Sequence, residues 1–267
     1  MYIDRSRVNY DAYQKHHVFE LINKMMEYYD GVWNTCFYFI PHGTICIGNY
    51  AADIYRSISN TLDSISMLLK VGHMSDAFVL IRKLFDTILM EIYLNVVRED
   101  KYDWGNNLVV KDVDEWLRRK HRIPNTKKIL DTLKKSKTTK DLYPYFGWDS
   151  YLKKNRELLD NHVHSNSYHN ILLNCPKMVL NDREKQLENA SIVLNQIMMV
   201  HIAFMFFMNG EYMMASNYMD YMEMGMEPPE GSECWLAPYA QKAFNEFLKP
   251  HEKLAKFIRE HCCMNIK

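Results

Sequence analysis

Positions 151–170 read YLKKNRELLDNHVHSNSYHN, the densest gathering in the chain of side chains that can move a proton or hold an anion. Arg156 presents a planar fork of donors matched to phosphate or carboxylate. His162, His164 and His169 are of the type that titrates closest to neutrality, and Asn161 and Asn166 can donate and accept at once. Two uses follow from the spacing. Arg156 and Asp160 stand four apart and can pair on a helix surface, with the histidines at the helix end, where imidazolium complements the dipole. Alternatively, Arg156 works together with one of the histidines. A metal centre is not expected, because histidines two apart point to different sides of a helix and no carboxylate or cysteine spacing joins them. No cofactor is expected either.

Charges elsewhere bear on that choice. Arg82, Asp86 and Glu91 interrupt an apolar stretch, and an ionised group inside an apolar helix is costly unless paired. Arg82 and Asp86 can satisfy each other four apart; alternatively, Asp86 or Glu91 reaches across to orient Arg156 or a histidine. Further on, Arg118, Arg119, Lys120, Arg122, Lys127, Lys128, Lys134, Lys135, Lys137 and Lys140 are offset only by Asp131. Such a run is either a solvated face or flap, or a patch that follows a phosphate backbone and loosens in salt.

The elements that position these groups all read as helices. Apolar spacing predicts a helix over 6–29 ended by Asp30-Gly31, an irregular buried connection over 32–48, and a helix over 49–71 striped by Ile54, Ile58, Leu62, Ile65, Leu68 and Leu69. Gly72 supplies a left-handed stop and Ser75 a cap, so the short GHMS turn folds about 49–97 into a long antiparallel αα-hairpin. Its second helix, 76–97, is apolar nearly all round and therefore central. A short helix around Trp116 and Leu117 and another holding Ile129, Leu130 and Leu133 flank Pro124. The 151–170 stretch sits on a helix that begins near 149–150 and frays by 165–170. Asp182 caps a long helix to about 208, the acidic, methionine-rich run to 231 reads as a surface excursion, and a last amphipathic helix over 238–261 kinks at Pro250. Period-two runs are nearly absent and no repeat or clean linker divides the chain. The expected fold class is all-α: one helical domain over 1–267, its core at about 49–210 and the terminal helices packed on it.

Composition sets the outer limits. With 267 residues, 48% apolar and 25% charged, the chain can bury a real core. Its 33 basic side chains balance 33 acidic ones, so no global field announces nucleic acid or an anionic membrane, and any such signal is local. The polar N-terminal stretch has no apolar core or cleavage site of a targeting peptide, and the apolar segments 78–97 and 197–208 carry charges or His201. A cytoplasmic protein with no membrane partner is the expectation. The six cysteines show no CxxC spacing and read as free thiols in or near the core. Methionine- and tyrosine-rich runs read as core or subunit interface.

A resemblance adds to this. Arg156 to His162 fits the RxxxxxH form of the motif of HEPN-superfamily helical proteins, and LLDNHVHSN is similar to an L-S/D-x-x-V-H-x-N segment of related bacterial helical proteins, in which His164 is the matching histidine. The hairpin LLKVGHMSDAFVLIRKLFDTILM resembles the same proteins, so the similarity covers roughly 50–205. Glu157 departs from the small polar residue that often follows the arginine in HEPN ribonucleases. Helical geometry leaves both histidines open, since six residues separate side chains by about 120° and eight by about 80°. The resemblance implies an HEPN-like bundle acting as a homodimer and cutting RNA without metal. The histidine would be general acid or base at the ribose 2′-hydroxyl or leaving oxygen, and Arg156 would stabilise the phosphorane charge. Asp86, Glu91, Asn161 and Asn166 would support that pair, and the basic run would hold the RNA. Toxin or phage-defence roles come with the family by association. Two other functions remain open: a non-catalytic HEPN-like module binding a nucleotide or a partner protein through the same polar cleft, and a structural or regulatory interaction protein.

Overall fold

The computed structural model describes residues 8–46, 48–148 and 150–267. It is all-α: α1 (Asp11–Gln14), α2 (His17–Cys36), α3 (Tyr50–Val71), α4 (Met74–Lys101), α5 (Lys111–Leu117), α6 (Thr126–Lys135), α7 (Tyr151–Val163), α8 (Tyr168–Leu172), α9 (Arg183–Met208), α10 (Asn217–Glu223), α11 (Pro238–Ala243) and α12 (Glu252–His261). Among the described residues no strand forms, only isolated bridges such as that between Gly43 and Val109.

The α3–α4 hairpin is built as the sequence implies. Asn49 caps α3 by accepting from the Ala51 N–H, the stripe from Ile54 to Leu69 turns inward, and Gly72 takes φ 83 to end the helix. The second helix starts earlier than expected. Met74 is already helical, so Ser75 lies in the first turn instead of capping it, and its hydroxyl faces His162. Helix α4 is central, packed against α3, α6, α7 and α9.

Helix α2 does not stop at Asp30-Gly31; it runs on to Cys36. The cause is packing at a distance in sequence: a Cβ on Gly31 would stand 2.6 Å from the Tyr239 ring. This glycine is present for close approach of an aromatic side chain, and the helix continues through it. The expected start at residue 6 lies outside the described residues. The connection after α2 is not buried as expected, since Phe37, Tyr38, Ile40 and Ile45 are exposed; Pro41 and Gly43 are its covered positions.

Helix α9 is long and apolar enough, by length and composition alone, to cross a membrane, yet 72% of its most apolar window is buried inside the molecule. Asp182 occupies its N-cap position without capping the backbone; its carboxylate accepts from Gln186 and faces His169. The last helix breaks near Pro250, as expected, and the break is prepared by a π-turn over Phe244–Leu248, with the Lys249 N–H donating to the Phe244 carbonyl at 2.9 Å. One core joins these elements, from Val8 through α2, α3, α4 and α9 to Ile258. The excursion after α9 is exposed only in part, because Ala215 and Ala237 pair back with Trp235 and Met213.

Candidate functional site

A turn before α7 builds the floor of a cleft. Tyr143–Phe146 forms a tight helical turn closed by Gly147 at φ 53, which brings Trp148 back over its start. The Trp148 indole N–H donates to the Tyr143 carbonyl at 3.1 Å, and the two rings stack with centroids 5.5 Å apart. Phe85 from α4 and Leu152 from α7 complete an apolar base. Above it stand four cations: Lys153 and Arg156, three apart on α7, and Lys127 and Lys134, which stand seven apart and share a face of α6. Among the described residues the single carboxylate on the rim is Asp131, and the cleft encloses about 420 Å³.

Arg156 is anchored from behind. Its Nε lies 3.6 Å from Asp160 Oδ2, while Asp160 Oδ1 accepts from Arg82 Nε at 2.7 Å, and Arg82 also pairs with Asp86. Both i,i+4 pairs expected from spacing are present, and Arg82 joins them into one ladder between α4 and α7. Asp86 therefore acts on Arg156 only through Arg82 and Asp160. Glu91 takes no part. It lies in the interior, where it accepts from Tyr55 at 2.7 Å, from Asn95 and from His201 Nε2 at 3.0 Å. The histidine that it orients is His201, outside the 151–170 stretch.

The histidines of that stretch have separate fates. His162 is 6% exposed, stacked on Phe78 at 4.3 Å, with Nδ1 3.0 Å from the Ser75 hydroxyl. Burial, with a smaller contribution from His169, pushes its imidazole down to about 4, so the ring is neutral at pH 7 and covered. His164 is exposed at the C-cap of α7. His169 is exposed and pairs with Asp182 at 2.8 Å. Asn161 and Asn166 fasten the turn after α7: Asn166 donates to the Asn161 side chain at 3.0 Å and Asn170 to its carbonyl at 2.9 Å, across a left-handed Ser165. Of the residues singled out in the sequence, the cleft gathers Arg156, Lys127 and Lys134; none of the three histidines lines it.

The other basic residues, Arg118, Arg119, Lys120, Arg122, Lys128, Lys135 and Lys137, lie on the outer surface, with Arg118 paired to Asp114. The residues missed in the sequence are Phe85, Tyr143, Trp148, Leu152 and Lys153. The aromatic run YPYFGW directly before α7 is the signal that could have found two of them.

Among the described residues one cluster has metal-ligand composition: donor atoms of His16, His17 and Glu188 lie within 4.8 Å of one another. Its hydrogen bonds argue against a cation. His16 Nδ1 caps α2 by accepting from the Val18 N–H, so a neutral ring keeps its proton on Nε2, the atom that faces Glu188 at 3.8 Å. Neither nitrogen offers a lone pair without breaking the cap. No family model matches this chain, and no curated protein or solved structure shows significant similarity to it.

Proposed function

We propose that the chain is a non-catalytic, HEPN-like binding module whose ligand is a nucleotide held in the cleft between α6 and α7. The observation that carries this is the pairing, among the described residues, of an apolar aromatic base with four cations and one carboxylate around about 420 Å³, a volume within the roughly 300–1,000 Å³ common for small-molecule sites. The base of the nucleotide rests against the Tyr143–Trp148 side, and its phosphates are shared by Lys127, Lys134, Lys153 and the Arg156 fork. Burial of His162 favours binding over cleavage, since a general base must come within hydrogen-bond reach of the proton it takes. Calorimetric titration with ATP tests the reading. Micromolar binding that weakens with salt and falls at least about tenfold, equivalent to about 1.4 kcal/mol, in Arg156→Ala or Lys134→Ala is expected, and no binding of ATP or AMP at moderate salt overturns it.

The exposed basic run beside the cleft favours RNA as the second reading. In that reading Arg156 works with the exposed His164, brought to it by a second copy of the chain as in HEPN dimers, and RNA is cut without metal. Labelled RNA incubated with the protein in EDTA separates the two. Cleavage lost in both Arg156→Ala and His164→Ala establishes the ribonuclease; retention without cleavage, lost on neutralising Lys134, Lys135 and Lys137, extends the binding module to RNA.

A further inference from the structure

The described cysteines are free thiols, and two of them are neighbours in space as well as in sequence. Cys262 closes α12, its N–H bonded to the Ile258 carbonyl at 2.8 Å, and Cys263 follows on the surface. Each thiol shifts the ionisation of the other. Both sulfurs lie against Gly210, where a Cβ would meet Cys263 Sγ at 2.9 Å and Cys262 Sγ at 3.3 Å. The missing side chain at 210 is what admits the pair.

The segment is held in place. The Met264 N–H donates to Cys262 Sγ at 3.4 Å, the Asn265 N–H to the Cys234 carbonyl at 2.8 Å, and the Lys267 N–H to Gln241 Oε1 at 2.8 Å. The two sulfurs are also unequal. The neighbouring Cys262 thiol holds the Cys263 thiol down to about 7, while Cys263, together with burial, pushes Cys262 up. Cys263 is thus the exposed, readily ionised sulfur and Cys262 the half-buried thiol beside it, the division of labour between an attacking and a resolving thiol.

We propose that Cys263 and Cys262 form a thiol–disulfide exchange site that takes a small-molecule disulfide. The Cys263 thiolate attacks one sulfur of the disulfide RSSR, forming a mixed disulfide and releasing RS⁻, which takes up the proton Cys263 gave to solvent. Cys262 then loses its proton and attacks Cys263 Sγ, displacing the second RS⁻. In sum, two protein thiols are oxidised to one disulfide and RSSR is reduced to two RSH. The site lies apart from the nucleotide cleft and does not depend on it.

Oxidised glutathione is the probe, applied to the full chain, quenched with N-ethylmaleimide and read by intact mass and peptide mapping. The unmutated chain is expected to lose two hydrogens, with Cys262 and Cys263 joined and unalkylated. Cys262→Ser is expected to retain one glutathione on Cys263. In Cys263→Ser, Cys262 is expected to react at least about tenfold more slowly, since its sulfur is half-buried against Gly210 and burial alone still disfavours its thiolate. A glutathione adduct that persists on the unmutated chain, or no oxidation at this pair, overturns the proposal, as does wild-type reactivity of Cys262 in Cys263→Ser. The mapped disulfide of the unmutated chain decides the matter even where the half-buried Cys262→Ser disturbs folding.

Discussion

At His162 the ring lies flat on Phe78 and turns Nδ1 to Ser75, and this placement has a consequence for stability. The folded imidazole is held from 6.5 down to about 4, so the unfolded chain binds the proton more readily. The stability that comes from keeping His162 neutral is whole above about pH 6.5 and is lost as the pH falls toward 4. At about 1.4 kcal/mol per unit, the loss reaches at most about 3 kcal/mol. Urea midpoints at pH 7 and at pH 4.5 should therefore differ more for the unmutated chain than for His162→Gln. Asp182 also has its pKa lowered in the fold, through hydrogen bonds to Gln186 and His169 that outweigh burial, and it loses stability in the same direction. The comparison with His162→Gln isolates the histidine, and equal midpoint shifts in the two proteins would refute its role.

Gly31 shows at the level of the helix how far a sequence can be read. Inside an exposed helix, Gly→Ala gains about 1 kcal/mol. Here the new Cβ would lie 2.6 Å from Tyr239, and overpacking of that kind costs about 1–3 kcal/mol. Gly31→Ala should lower the melting temperature, and should lower it less when introduced into Tyr239→Ala than into the unmutated chain; a stabilised Gly31→Ala protein would contradict the contact. Asp30-Gly31 reads as a stop because Asp-Gly is a local signal, whereas Tyr239 arrives from α11. Ser75 is a similar case: the helix begins at Met74, so the hydroxyl sits inside the first turn and faces His162, which arrives from α7. The α3–α4 hairpin is legible because its stripe and its Gly72 stop are local; the Asn49 cap adds a local signal that the spacing alone does not reveal. The cleft was legible in half. Arg156 and the α6 lysines stood out by charge, but their meeting over Phe85, Trp148 and Leu152 is decided by how α4, α6 and α7 pack.

Across the whole molecule, the helices are joined by a buried polar knot as well as by apolar contact. Glu91 and Asn95 come from α4, Tyr55 from α3, His201 from α9 and Tyr29 from α2, and the Tyr29 hydroxyl lies 2.6 Å from His201 Nδ1. Since a carboxylate only accepts, His201 Nε2 carries the proton given to Glu91 and Nδ1 accepts from Tyr29, which fixes the tautomer. Both Glu91 and His201 are essentially without solvent, so each depends on the other for its hydrogen bonds. Removing one member leaves the rest buried and short of partners, at a cost of about 3–5 kcal/mol. Glu91→Ala and His201→Ala should each lower the urea midpoint strongly, and the double variant should fall well short of their sum, by a coupling of about 1–3 kcal/mol. Additivity within about 0.5 kcal/mol would mean that apolar packing alone holds α2, α3, α4 and α9 in register. Coupling would mean that one carboxylate specifies how the four helices meet, and with them the surface of α4 on which Phe85 and Arg82 support the cleft.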